Sequence, residues 1–273
     1  MKRKLKKVLV NILIVLPILL FFAWIKLDFI LERILFQPTK LSSDYVFQFN
    51  HDFEEINLNP EKDVLINALH FKTKQPKGII LYFHGNRDNL QRWSKIAAEL
   101  GDYSHYDVFV MDYRGYGKSV GKRNEDALNQ DALFCYNYVK AQYTPKEIII
   151  YGRSLGTGIA ACLASEVEAD KLILETPYHS MNDLARSYFS LFSIEHKLPY
   201  KLPSFQYLQN VDCPILILHG TEDEVVPYSS AKKLFDGLSH KNAHLTTIPN
   251  GKHNNLSDYK DYWEALTTFF AAK

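Results

Sequence analysis

Residues 152–156, Gly-Arg-Ser-Leu-Gly, have the composition of a turn that presents a nucleophile. A serine hydroxyl is a weak nucleophile until a base takes its proton, and a sharp turn between a strand and a helix exposes it to such a base. Gly152 and Gly156 suit this turn because a β-carbon at either position would collide with the neighbouring strand or helix. The pattern therefore predicts Ser154 as the nucleophile of a hydrolytic reaction.

The sequence on both sides of this turn strengthens the prediction. Three isoleucines and a tyrosine occupy residues 148–151, and four of the five residues at 157–161 are small. The first run is typical of a buried strand and the second of a closely packed helix. Strand, turn and helix thus follow in the order that the chemistry requires.

A histidine must supply the base, and the chain contains ten. In proteins with this kind of turn the order along the chain is serine, then acid, then histidine, and the histidine follows the last strand. His253 lies between an apolar run that ends at residue 248 and a final helical stretch. His219 instead closes a strand, where we expect it to pack, so His253 is the predicted base.

The acid that orients the base should follow the strand at 214–218. Three carboxylates, Glu222, Asp223 and Glu224, occupy that loop. Position favours Asp223, because alternate loop residues point differently and its shorter side chain suits the site. Glu175, at the end of another predicted strand, is a further alternative, although packing beneath the site is the favoured role for it.

The oxyanion that forms during attack needs two backbone N–H donors. One should be the amide of Leu155, directly after the nucleophile, and the other should come from the loop after the strand at 78–83. In that loop Gly85 permits a tight turn and the amide of Asn86 is the predicted second donor. His84 ends the strand, and we expect it to order the loop by hydrogen bonding.

These residues require a scaffold of strands that alternate with helices. From about residue 64 apolar, β-branched runs alternate with stretches of helical periodicity, which indicates a mostly parallel sheet covered on both faces. The predicted strands are 53–59, 64–71, 78–83, 107–112, 147–151, 171–175, 214–218 and 243–248. The predicted helices are 90–100, 124–141, 155–166, 181–192, 229–237 and 257–271.

We predict from this pattern an α/β-hydrolase fold with an eight-stranded, mostly parallel sheet and helices on both faces. The first two strands form an antiparallel pair. A helix must fit between the strands at 171–175 and 214–218, so any cap over the site is small. The aromatic segment 188–194 in that interval is expected to cover the sheet with its apolar face, and the alternative is that it lines an acyl pocket.

The N-terminus has the pattern of a membrane anchor. Five basic residues lie within positions 2–7, directly before the apolar run 8–25. As a helix that run is roughly 27 Å long, close to the roughly 30 Å of a bilayer's hydrocarbon core. A cleaved signal peptide is the alternative, but no small-x-small cleavage site follows the run. The basic flank predicts a cytoplasmic N-terminus and an extracytoplasmic catalytic domain.

The predicted organisation has three parts: a basic flank and signal-anchor at residues 1–27, a stalk at 28–50 and a catalytic domain at 51–273. The stalk is expected to pack on the domain or on the bilayer surface. A chain that begins near Leu41 is accordingly expected to be soluble and active.

Composition excludes several other classes of protein. The 273 residues carry 32 basic and 31 acidic side chains, a balance that does not indicate nucleic-acid binding. The three cysteines do not imply a disulfide framework. No histidine pair has the spacing of zinc ligands and no phosphate-binding loop occurs, so neither a metal nor a cofactor is predicted.

Taken together, the motifs resemble those of the membrane-tethered α/β-hydrolase-domain proteins, including the Bem-type hydrolases. The resemblance extends from the predicted anchor to the last helix and is carried by residues 36–38, 82–86, 112–119, 152–156, 175–178 and 219–227. It implies a Ser-Asp-His triad at Ser154, Asp223 and His253, and so selects Asp223 among the acids. Residues 87 and 88, Arg and Asp, depart from the family pattern, in which small residues are commoner.

The resemblance implies substrates among carboxylic esters, lipids, thioesters of lipidated proteins and peptides. We therefore predict a membrane-anchored serine hydrolase that cleaves an ester or thioester through an acyl-serine intermediate. One alternative is a serine peptidase of the same fold. The other is a scaffold or binding protein without catalytic activity.

Overall fold

The central strands are short apolar runs that are buried on both faces, as expected for parallel strands covered by helices. The computed structural model describes residues 4, 11, 15–17, 24–189, 195–238 and 242–272. The strands of the large sheet are β2 (Phe53–Leu58), β3 (Ile66–Phe71), β4 (Ile79–Phe83), β6 (Asp107–Met111), β7 (Ile148–Arg153), β8 (Lys171–Glu175), β9 (Ile215–Gly220) and β10 (Ala243–Ile248). Two further strands, β1 (Gln37–Pro38) and β5 (Arg87–Asp88), form a separate parallel pair.

The eight strands of the large sheet lie in the order β10-β9-β8-β7-β4-β6-β3-β2. β2 and β3 pair antiparallel, as do β3 and β6, and all other neighbours are parallel. The predicted α/β-hydrolase sheet and its antiparallel opening pair are thus confirmed. Because β4, β7, β8 and β9 are adjacent and parallel, the loops at their carboxyl ends meet at one edge of the sheet.

Two hydrophobic cores lie on opposite faces of the sheet, as the alternation of side chains along a strand requires. On β4, Ile79 and Leu81 belong to one core, whereas Ile80 and Tyr82 belong to the other. The helices that cover the two faces are α2 (Leu90–Ser104), α3 (Glu125–Lys140), α4 (Gly156–Ala164), α7 (Tyr228–Asp236) and α8 (Lys260–Ala271). α2 and α8 cover the second core, and α3, α4 and α7 cover the first.

The segment that follows the predicted anchor is packed onto the catalytic domain. It begins with helix α1 (Leu27–Leu35) and continues through β1, which pairs with β5. Phe36 and Phe47 are only 2% and 5% exposed, each in one of the two cores. Residues 36–49 therefore contribute to the folded domain.

Most of the predicted anchor is not described by the structure. Of the apolar run 8–25, residues 8–10, 12–14 and 18–23 lie outside the described residues. Among the residues that are described, none belongs to a helix both long and apolar enough to cross a bilayer.

The predicted cap helix is shorter than the sequence pattern indicates. Helix α5 spans Met181–Tyr188, and residues 190–194 of the aromatic segment lie outside the described residues. Tyr188 and Phe189 are 57% and 41% exposed, so they do not cover the sheet as predicted. The hydroxyl of Tyr188 instead donates to the backbone carbonyls of Glu224 and Val225, beyond the end of β9. A short helix α6 (Ser204–Tyr207) completes this region.

Candidate active site

Ser154 occupies a strained turn between β7 and α4. Its φ angle is 53°, in the left-handed region that non-glycine residues rarely adopt. A β-carbon on Gly156 would lie 2.1 Å from the carbonyl oxygen of Phe83, and one on Gly152 would lie 2.5 Å from that of Gly156. Only glycine therefore allows α4 to start this close to β4. The amide of Ser154 donates to the carbonyl of Glu175 at 2.9 Å, which fastens the turn to the end of β8.

His253 lies in the loop between β10 and α8, as predicted. Its Nε2 atom is 2.9 Å from Ser154 Oγ, and its Nδ1 atom is 2.8 Å from Asp223 Oδ2. An ionised carboxylate only accepts hydrogen bonds, so Nδ1 carries the proton and Nε2 is free to accept from the serine hydroxyl. The three side chains thus form one hydrogen-bonded chain.

Asp223 is buried behind His253 in the loop after β9. Its Oδ1 atom accepts hydrogen bonds from the backbone amides of Val225 and Val226, both at 2.8 Å. Burial alone would raise the pKa of Asp223, but the hydrogen bonds from His219 and His253 outweigh it and hold the pKa well below its ordinary value. The carboxylate is therefore ionised at neutral pH.

His219 is a residue of this site whose role the sequence did not predict. Its ring is fully buried, and its Nε2 atom lies 3.2 Å from Asp223 Oδ2 and 2.9 Å from the carbonyl oxygen of Val226. Both neighbours are acceptors, so Nε2 must carry a proton. Asp223 Oδ2 thus has a histidine on each side. The sequence could have indicated this contact, because His219 lies only four residues before Asp223, near the end of the strand that leads into the loop containing Asp223.

The other candidate acids do not reach the base. Glu222 and Glu224 are exposed. Glu175 is buried beneath the site, where Oε1 lies 3.2 Å from Arg153 Nε and Oε2 accepts from the Tyr151 hydroxyl at 2.7 Å. Of the four carboxylates considered, the structure places only Asp223 against His253.

The predicted oxyanion donors lie on the two loops beside Ser154. Among the described residues no acceptor is bonded to the amide of Asn86 or of Leu155. The Gly85 carbonyl lies 2.6 Å from His84 Nδ1, and because the C=O and N–H of a trans peptide point in opposite directions, this contact turns the Asn86 N–H away from His84. Gly85 itself packs against the Trp93 ring, 2.9 Å from where a β-carbon would stand. These contacts hold the loop around Gly85 in place.

The motif at 112–119 supports this loop from below. The hydroxyl of Tyr113 donates to the carbonyl of His84 at 2.7 Å, and that of Tyr116 donates to the carbonyl of Asn86 at 2.6 Å. Asp112 Oδ1 lies 3.3 Å from His84 Nε2, and both side chains are fully buried. Burial raises the pKa of Asp112, although the hydrogen bond from His84 opposes the shift.

A cavity of about 180 Å³ opens above Ser154. Its lining consists of Gly85, Asn86, Arg87, Arg92, Trp93, Arg153, Ser154, Val225, His253 and Asn254. This lining contains three guanidinium groups and no carboxylate. Within the described ranges no group of three or more His, Cys, Asp and Glu side chains is placed to hold a metal ion.

Comparison with known families identifies the family to which the chain belongs. The family described as Hydrolase_4, serine aminopeptidase S33, matches residues 74–207 and 205–260. This match includes the oxyanion loop, the serine turn and the acid loop. The chain belongs to this family. The sequence-based prediction of an α/β-hydrolase-domain protein of the serine hydrolase class is thereby confirmed.

Curated relatives are named lipases and α/β-hydrolase-domain proteins. The zebrafish (Danio rerio) lysophosphatidylserine lipase ABHD12 is 35% identical over 61% of this chain and 48% of its own length. The Mus musculus protein of the same name is 33% identical over 66% of this chain and 54% of its own. The α/β-hydrolase domain-containing protein 17C of Xenopus tropicalis is 32% identical over 70% and 61%. The chain thus spans about half the length of the first two relatives.

Solved structures share the fold. An esterase of Pyrococcus furiosus, Pf2001, superposes with a TM-score of 0.67 at 17% identity, covering 86% of this chain and 97% of its own. Est1E of Butyrivibrio proteoclasticus gives 0.66 at 20% identity, covering 80% and 100%. At such low identity these similarities establish the α/β-hydrolase fold and nothing finer.

Proposed function

We propose that this chain is a serine hydrolase that cleaves a carboxylic ester or thioester through an acyl-serine intermediate. The observation that carries the proposal is the continuous chain of hydrogen bonds from Ser154 through His253 to Asp223. The names of the relatives, which include lipases, favour an ester substrate, and lipids or lipidated proteins are candidates.

In the proposed mechanism Ser154 Oγ attacks the acyl carbon while His253 Nε2 takes its proton. The tetrahedral intermediate then collapses, and His253 returns the proton to the leaving alcohol or thiol. A water molecule attacks the acyl-serine in the same way, with His253 again as the base, and releases the acid. Asp223 holds the tautomer of His253 and stabilises its protonated form throughout.

The negative charge on the tetrahedral intermediate would be held by the amides of Asn86 and Leu155. Two observations support this assignment. Neither amide is bonded to an acceptor within the described part of the chain, and both lie on loops that flank Ser154. The glycines at 85, 152 and 156 allow these loops to approach one another.

The charges around the cavity favour an ester over an aminopeptidase substrate. An aminopeptidase has to bind the cationic amino group of a peptide, which calls for a carboxylate near the nucleophile. The residues that line the Ser154 cavity carry three arginines and no acid. A free amino group would be repelled there.

We also propose that residues 1–27 form a basic flank and signal-anchor that holds the catalytic domain outside the cytoplasm. The lysine- and arginine-rich start and the apolar run 8–25 support this topology. The test is extraction of membranes with carbonate. Recovery of the intact chain, with its first residue present, in the soluble fraction would exclude an anchor.

The proposed activity is tested with a fluorophosphonate probe and with a series of acyl esters of increasing chain length, run beside peptide amides. We expect stoichiometric labelling, turnover of short to medium esters and much slower amide cleavage. Labelling without ester turnover but with efficient peptide cleavage would assign the chain to the peptidases. Absence of both labelling and turnover in folded protein would leave a binding or scaffold role.

A further inference from the structure

The cavity above Ser154 has an unusual charge for a site that binds an acyl ester. A neutral ester needs an apolar wall, yet Trp93 and Val225 are the only large apolar residues among the lining. Three arginines, Arg87, Arg92 and Arg153, line the same cavity. Charged groups gathered without acids around one cavity generate a potential that attracts anions.

The three arginines differ in how far their charge is already compensated. Arg153 is only 6% exposed and lies 3.2 Å from Glu175. Arg92 donates to Asp88 at 2.7 Å, but both side chains are more than 40% exposed, so solvent screens this pair and it contributes little. Glu175 and Asp88 do not line the cavity. Two of the three charges thus have a carboxylate partner outside the cavity.

Arg87 is the uncompensated charge. Its side chain is exposed at the cavity mouth and has no hydrogen-bond or ion-pair partner within the described part of the chain. Its backbone, in contrast, is held firmly. The main chain pairs with Gln37 in the β1–β5 pair, and the Arg87 carbonyl accepts a hydrogen bond from Trp93 Nε1 at 2.6 Å. A fixed backbone thus carries an exposed arginine side chain, directly after the proposed oxyanion donor Asn86 in the chain.

We propose that Arg87 and Arg92, which both line the cavity, form a subsite for an anionic group carried by the ester substrate. The group would be a phosphate or a carboxylate a few bonds from the scissile ester, because the cavity of about 180 Å³ is too small to separate the two widely. Arginine suits either group, since its planar guanidinium donates two parallel hydrogen bonds. This inference rests on the proposed ester hydrolysis and assigns its substrate class.

The test compares two soluble esters that differ only in one phosphate group: monobutyrylglycerol and its 3-phosphate. For the wild-type chain we expect a higher kcat/KM with the phosphate ester. In Arg87→Gln the ratio of the two kcat/KM values should fall about tenfold, as for loss of one charge-assisted hydrogen bond. Arg87→Lys should recover part of the ratio. Lys95→Gln removes an exposed charge from α2 outside the cavity and should leave the ratio unchanged.

Competition experiments identify the anionic group. Glycerol 3-phosphate and glycerate are added separately as inhibitors of monobutyrylglycerol hydrolysis, with glycerol as the neutral control. Inhibition by one anion, weakened in Arg87→Gln, supports the subsite and says whether it takes phosphate or carboxylate. Equal rates with both esters and no inhibition by either anion would overturn the subsite while leaving ester hydrolysis intact. Failure to hydrolyse either ester would instead count against the proposed function.

Discussion

The backbone amide of Gln37 donates a hydrogen bond to the carbonyl of Asn86 at 2.9 Å. The same carbonyl accepts from the Tyr116 hydroxyl, and the amide of Thr39 donates to the carbonyl of Asp88 at 3.1 Å. The segment that follows the predicted anchor is thus hydrogen-bonded directly to the loop that contains Asn86, the proposed oxyanion donor. A chain that begins near Leu41 lacks these hydrogen bonds, so it is no longer expected to be fully active.

We predict that a chain beginning at Leu27 retains activity, whereas one beginning at Leu41 loses at least about tenfold in kcat and unfolds at a lower temperature. The second truncation removes Gln37 and Thr39, which hold the loop, and the buried Phe36. Loss of a large buried side chain alone costs about 3–5 kcal/mol. Ester turnover and thermal unfolding of both chains check the prediction. Equal activity would restore the expectation from the sequence that residues before Leu41 are dispensable.

Substitution of any residue of the proposed triad should reduce turnover by orders of magnitude. Ser154→Ala should abolish probe labelling and turnover with the fold retained, because its hydroxyl contributes little to packing. His253→Ala should lose a comparable amount, since triad members act together and their losses do not add. Asp223→Asn should cost up to about four orders of magnitude in kcat, because the amide favours the wrong tautomer of His253. Full turnover by folded Ser154→Ala would refute the assignment.

His219 should act as a positioning residue for Asp223. His219→Leu removes the second donor to Asp223 Oδ2, so we expect kcat to fall about tenfold to a hundredfold with KM little changed. Glutamine can place an amide N–H near the position of Nε2, and His219→Gln should therefore retain more of kcat than the leucine variant. Steady-state kinetics of the leucine and glutamine variants, after folding of each has been verified, measure this difference. If both variants lose the same activity, His219 only fills space.

Much of the site follows from local sequence. Ser154 lies in a short pattern between a strand and a helix, and His253 follows the last strand, so chain order alone selects both. Position in the loop favoured Asp223 over Glu222 and Glu224, but three adjacent acids differ little in pattern, and the family resemblance was needed to select it. In the structure the difference is burial, as the two glutamates are exposed.

The contacts that sequence did not predict are distant along the chain or depend on side-chain direction. Gln37 and Asn86 are joined across a fold that no local periodicity encodes. Arg87 departs from the family pattern, but the sequence suggested no role for it. The role that we propose depends on its position in the cavity lining. Tyr188 and Phe189 were expected to cover the sheet, and instead helix α5 buries only Met181 and Ala185. In each case tertiary packing, which local sequence does not encode, determines where the side chain or backbone group lies.

Glu175 and Asp223 should fail in different ways when neutralised. Glu175→Gln leaves the buried Arg153 without its carboxylate, and breaking a buried ion pair costs about 3–5 kcal/mol. We expect this variant to lose stability while the folded fraction keeps most of its kcat. Asp223→Asn should instead lose most of its kcat, with a smaller loss of stability. Urea unfolding and active-site titration of both variants check this, and a larger loss of kcat in folded Glu175→Gln would mean that the acid is misassigned.

Acid should weaken the fold partly through Asp223. Its pKa in the folded chain is held well below the value of about 3.9 for an unfolded aspartate, so the folded state favours the ionised form. Its contribution to stability is therefore fully present above that unfolded value. It is lost as the pH falls below about 4 towards the folded pKa, because the unfolded chain then binds a proton that the folded chain does not.

The comparison that isolates this effect is the free energy of unfolding of the wild type minus that of Asp223→Asn, measured in urea at pH 7, 5, 4 and 3. Asparagine keeps the oxygen that accepts from Val225 and Val226 but cannot ionise. The difference should shrink between pH 5 and pH 3. Acid-sensitive groups that do not contact Asp223, such as the buried His70, whose pKa burial lowers, act equally in both proteins and cancel. A difference that stays constant or grows between pH 5 and pH 3 would contradict a lowered pKa of Asp223 in the folded chain.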